Sequence, residues 1–151
     1  MLFLLGGLLT APCDIHPVYA LVPKVSAIRV VRIAARYRAS TTISFGVKQT
    51  REAVIPSVET GLLDHVRGHE IVAHRVARSS NGHLEANGAS AAQAKARLQR
   101  TIHDLTADQN SELLREERAY DNVTENGASQ SQGPAYGFPG GPDVQDAACT
   151  R

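Results

Sequence analysis

The chain has 151 residues, 42% hydrophobic and 21% charged, with a formal net charge of +1 at pH 7. That length holds one domain with one modest core. Three lysines and scattered arginines exclude the clustered basic footprint of a nucleic-acid binder, so a peptide or protein is the expected class of partner.

Residues 2–11 read LFLLGGLLTA. The run is about half of the 20 or so residues that cross a bilayer, so no stable membrane span is expected. It matches the apolar region of a secretory signal peptide, with Val18-Tyr19-Ala20 as a cleavage point. No Lys or Arg precedes it and Pro17 sits beside the cut, so a strand-forming or disordered N-terminus is the competing reading. The expected location is secreted or periplasmic, with residues 1–24 set apart as a signal or N-terminal segment. Cys13 and Cys149 can form a bridge in an oxidising compartment, and they are too far apart for a CxxC metal knuckle. Cleavage after Ala20 would leave Cys149 alone.

Residues 25–38 (VSAIRVVRIAARYR) and 40–47 (STTISFGV) are rich in β-branched residues and predict two strands, with the turn at Ala39-Ser40-Thr41. Arg29, Arg32, Arg36 and Arg38 read as the solvent face of a strand. Pro56 ends this region and Ser57 caps a helix over roughly 58–78. Gly68 in its middle costs about 1 kcal/mol relative to Ala and allows close approach of another element. Ser79-Ser80-Asn81-Gly82 stops the helix, and residues 83–89 (HLEANGA) read as a loop. Ser90 caps a longer helix over 91–123. Its inward stripe is Leu98, Ile102, Leu105, Gln109, Leu113, Glu117 and Tyr120. Asn126-Gly127 ends it, and the Gly- and Pro-rich tail 128–151 has too few apolar residues for a core layer. The expected fold is α+β: a small antiparallel sheet followed by two long antiparallel helices over 25–127.

His65 and His69 are four apart on the first helix, on the stripe of Leu62, Val72 and Val76. Two inward imidazoles at that spacing are what a zinc site requires. Zinc hydrolases carry His-Glu-x-x-His with the Glu as general base; here Val66 occupies the Glu position. Glu70 does not repair the motif, because His69 and His74 lie about 140° apart on a helix. The second helix supplies Glu117 as the third zinc ligand and Asp121 as the carboxylate that orients an imidazole, or the two exchanged. Tyr120 is either core or an oxyanion stabiliser. The plain alternatives are satisfied core histidines and an acidic face, Glu116 above all, paired with Arg115 and Arg118. His83 and His103 receive no role.

The block HVRGHEIVAHRVA, followed by REERAYDNVTENGASQSQGPAYG, resembles the bacterial family of secreted zinc-dependent protease-like proteins catalogued as a domain of unknown function. The resemblance covers roughly residues 27–143. It implies a zincin-like fold, a zinc cofactor and metallopeptidase chemistry. The family's His-Glu-x-Gly-His falls on His65, Val66, Arg67, Gly68 and His69. Its Tyr-Asp-x-x-Thr-x-His-Gly falls on Tyr120 to Gly127, with Asn126 where the family has His. Three readings are carried forward. One is a zinc-binding, exported, catalytically impaired metallopeptidase-family domain. The others are a metal-free structural or interaction module, and an active hydrolase using Glu70 or Glu125 as base.

Overall fold

The computed structural model describes the backbone of residues 18–51 and 60–123, and the side chains of 18–50 and 66–123. The elements are β1 (Val18–Val25), β2 (Arg29–Ile33), β3 (Arg36–Arg51), α1 (Thr60–Ser79), β4 (Gly82–Gly88) and α2 (Ala91–Val123). They form an α+β fold with a four-stranded antiparallel sheet and two helices. Among the described residues no helix is long and apolar enough to cross a membrane.

The sheet is built on β3. Its alternation is strict: Ala39, Thr41, Ile43 and Phe45 are buried while Arg38, Thr42, Gly46 and Lys48 are exposed. Period-two patterning of this kind commits one face to a core. β1 and β2 lie end to end along one edge of β3, with Val25 opposite Ile43 and Arg29 opposite Ser40. β4 takes the other edge, from Tyr37↔Gly88 to Ile43↔Gly82. The joint between β1 and β2 is pinned at Ser26, whose N–H donates to Thr42 O at 3.0 Å and whose carbonyl accepts from Thr41 Oγ1 at 2.7 Å.

Two expectations are corrected here, and part of the N-terminal segment is given a structure. The turn between the first strands lies at Ala34-Ala35, where Ala34 has φ of 54°, and not at Ala39-Ser40-Thr41. A two-residue hairpin requires positive φ, and an Ala accepts it there because both flanking strands are held by pairing. Ala39 instead sits fully buried against α2, grouped with Ala94 and Leu98. The stretch read as the loop HLEANGA is β4, with Leu84 and Ala86 inward and His83, Glu85 and Asn87 exposed. β4 also interrupts the expected order of sheet then helices, because it falls between them in the chain. Finally, the segment 18–24 set apart at the N-terminus is a strand of the sheet, and Leu21 is in the core at 3% exposure. Cleavage after Ala20 would remove three residues of β1. Cys13, Pro56, Ser57, Cys149 and the tail lie outside the described residues.

Both helices cover the same face of the sheet. Ser90 caps α2, accepting from Gln93 N–H at 3.1 Å, while Gln93 Oε1 accepts from Ala89 N–H at 2.6 Å. The reciprocal arrangement satisfies two donors that the first turn leaves open. Ala94, Leu98, Leu113, Glu117 and Tyr120 of α2 are buried, and α1 adds Val72, Ala73, Val76 and Ala77. The helices run antiparallel: Ser80 hydrogen-bonds Gln109, Arg75 Nη2 lies 3.1 Å from Glu116 Oε2, and His69 meets Asp121. Gly88 is required where β4 meets α2, since a Cβ there would collide with the Ala94 backbone.

One side chain ties α2 to the outer edge of β1. Asn110 Oδ1 accepts from Leu21 N–H at 2.8 Å, and Asn110 Nδ2 donates to Leu21 O at 3.2 Å. Asn110→Ala would leave both backbone groups of a core strand without that partner. The expected loss is on the order of 2 kcal/mol, read as a lower midpoint in chemical denaturation. An unchanged midpoint would show that water replaces the amide at no cost.

Candidate metal centre

The centre begins at the point where α1 and α2 come closest. Gly68 is buried, and a Cβ added to it would overlap the oxygen and Cζ of Tyr120. Glycine therefore admits the Tyr120 phenol onto the α1 backbone. Tyr120 is fully buried and stands edge-on to the His69 ring, with centroids 5.0 Å apart and planes at 88°. Packing accounts for its position, so the core reading fits this side chain better than the oxyanion reading.

His69 is 1% exposed and lies between two carboxylates of α2. Its Nε2 is 2.8 Å from Asp121 Oδ1, and its Nδ1 is 3.9 Å from Glu117 Oε1. Glu117 and Asp121 are one turn apart, so both project toward α1. The Glu117 carboxyl is pushed up to about 7, first by burial and then by the charge of Asp121. A buried anion beside another anion holds its proton into the neutral range.

The structure brings His69, Glu117 and Asp121 together. His65 lies one turn earlier in α1, with its side chain outside the described set, and Val66 is half-buried. Among the described residues no group of three or more His, Cys, Asp and Glu is arranged to hold a metal ion. The centre expected from the sequence takes His65 as its remaining ligand. Two features of the described part suit a cation. The 3.9 Å between Nδ1 and Oε1 exceeds a hydrogen bond. It falls within the sum of two zinc–ligand bonds of about 2.1 Å each. Glu117 Oε1 is buried and makes no hydrogen bond within the described structure. On the other side of the ring, Asp121 Oδ1 lies 2.8 Å from Nε2, close enough for a carboxylate that orients an imidazole but without the alignment of a hydrogen bond.

The remaining histidines and acids sort away from the centre. Glu70 is exposed, with His74 Nε2 at 3.7 Å, which agrees with the angular separation of His69 and His74. Glu116 pairs across the helices with Arg75, and Arg115 pairs with Glu112. His83 sits 3.1 Å from Glu85 on β4, and His103 is exposed beside Asp104. Glu125 and Asn126 lie outside the described residues.

Tyr19 of β1 is the residue that sequence reasoning missed. Its hydroxyl is pushed up to about 12 by burial, then by the charges of Glu70 and Glu117, and its ring packs against the core cluster that includes Tyr120. In the sequence it belongs to the candidate cleavage site. The parity of Tyr19, Leu21 and Pro23, opposite Gln49, Val47 and Phe45, is the signal that marks it as facing the helices. No family model matches the chain, and no curated protein or solved structure matches it either.

Two measurements probe this geometry. Gly68→Ala should destabilise by about 1–3 kcal/mol through overpacking against Tyr120, despite the better helix propensity of Ala. In a Tyr120→Ala background the same change should become neutral or stabilising; an unchanged sign would refute the close approach. The second concerns pH in chelator-treated protein. The folded pKa of Glu117, about 7, lies above the ordinary value of 4.5 for the group. Its contribution to stability is thus complete below about pH 4.5 and is lost as pH rises through 7. The loss is on the order of 3 kcal/mol, and Glu117→Gln should remove it from a series of thermal melts.

Proposed function

We propose that the chain is an exported, zincin-like domain of the metallopeptidase type, binding zinc through His65, His69 and Glu117, and catalytically impaired. The observation that supports it is the placement of His69, with Asp121 at one ring nitrogen and Glu117 facing the other across 3.9 Å. A bound zinc would supply Lewis acidity and lower the pKa of water in a peptide-hydrolysing site. In the chain itself Asp121, 2.8 Å from the other ring nitrogen, is the carboxylate that would orient the imidazole. Glu117 offers an anionic oxygen once its proton is displaced. Tyr120 and the core behind it exclude water from the inner side.

The impairment rests on Val66. General acid–base help is worth about a hundredfold to ten-thousandfold, and an isopropyl group neither accepts nor delivers a proton. Glu70 is no substitute, being turned to solvent beside His74. The active-hydrolase reading is therefore the weakest of the three.

A metal-free module is the second reading, favoured by the carboxylates at both nitrogens of His69. In that case His69, Glu117 and Asp121 form a buried polar cluster that locks the register of the helices. Elemental mass spectrometry of the purified chain separates the two, beside His65→Ala and His69→Ala. Near one zinc per chain, lost in both variants, supports the centre. No zinc after loading supports the polar lock. In zinc-loaded protein Val66→Glu should then raise peptidase activity by about a hundredfold or more. No gain would remove the impaired-enzyme reading while leaving the metal site standing.

A further inference from the structure

The two helices cover one face of the sheet, and no element among the described residues covers the other. The register places Lys24, Arg29, Arg36, Arg38 and Lys48 on that open face, all exposed. Glu85 is the one carboxylate that the four strands put there, 3.8 Å from Arg38. The face thus carries a net +4 in a chain whose formal net charge is +1. The helices carry no such excess: α1 and α2 together hold eight Lys and Arg against eight Asp and Glu, and the carboxylates gather in the second half of α2. The molecule is polarised across its two layers, and a negative surface would orient it sheet first.

Apolar side chains stand among these cations. Val22, Val31 and Ile33 are 45%, 40% and 46% exposed and share the outward parity. The aromatic residues of the sheet, Tyr19, Tyr37 and Phe45, point the other way, so the face has no platform for stacking bases. A broad basic surface with short aliphatic projections suits an anionic lipid bilayer, where charge supplies attraction and the aliphatic groups enter the headgroup boundary. The structure assigns the open sheet face as a peripheral docking surface for anionic membranes. The assignment does not depend on zinc or on peptidase descent.

The test is sedimentation of the full chain with phosphatidylcholine vesicles, with and without phosphatidylserine. Binding is expected only to the serine-containing vesicles, and it should be reversed by salt. Each cation near such a surface is worth roughly fivefold in affinity, so Arg29→Gln with Arg36→Gln should weaken binding by at least about tenfold. Val31→Ser with Ile33→Ser should weaken it too, whereas Arg118→Gln, on α2, should leave it unchanged. Unaltered melting curves would show that the variants are folded. Equal binding to both vesicle types, or equal losses in the face variants and Arg118→Gln, would overturn the assignment. So would comparable, equally variant-sensitive affinity for duplex DNA, which would mark a general polyanion surface.

Discussion

The close approach of α1 and α2 at Gly68 is the contact on which the architecture depends. Because no side chain stands at that position, the Tyr120 phenol lies directly on the α1 backbone. That single docking fixes how far the helices are apart and how they slide. With Tyr120 seated, His69 faces Asp121, Arg75 faces Glu116 and Ser80 faces Gln109, one step after another along an antiparallel pair. A bulkier residue at 68 would displace all of these together, since packed interiors transmit strain rather than absorb it.

The polar cluster beside this contact is costly to bury. Glu117 loses water and sits near a second carboxylate, and its ionisation is held back accordingly. Proteins retain such arrangements where the cluster specifies a register, or where something positive completes it. In the metal-bound reading a divalent cation offsets the carboxylate charges, and binding displaces the proton from Glu117. In the metal-free reading that proton stays, and the cluster is most stable when partly neutral. The two accounts share one geometry and differ in the charge at its centre.

The sheet divides the molecule into two surfaces of opposite character. Its inner face, through Leu21, Ile43 and Phe45, forms the core that carries the helices. The outer face gathers arginines and lysines that the sequence spreads over three strands. Edge protection follows the same economy of short side chains: Asn110 occupies the outer edge of β1, and Asn81 Oδ1 accepts from Phe45 N–H at 2.9 Å just beyond the start of β4. Both amides stand in for strand pairing on otherwise open backbone.

Local pattern determined much of this. The bounds of α2 follow from Ser90, whose cap is local chemistry, and from an apolar stripe sustained over many turns. The facing of His69, Glu117 and Asp121 was also legible, because helical periodicity alone aims residues four apart to one side. Tertiary structure decided the rest. β4 is short and polar, and is a strand because β3 offers it an unpaired edge. Residues 18–25 are a strand because Leu21 pairs with Val47 and is buried, which nothing local to the segment announces. Tyr19 joins the core beneath the helices only through that pairing, and the arginines become one basic face only once register sets their side. Periodicity is written within a segment, whereas pairing across strands depends on partners distant in sequence. For that reason the facing of His69, Glu117 and Asp121 could be read from the chain, whereas the joining of cations from three strands into one face could not.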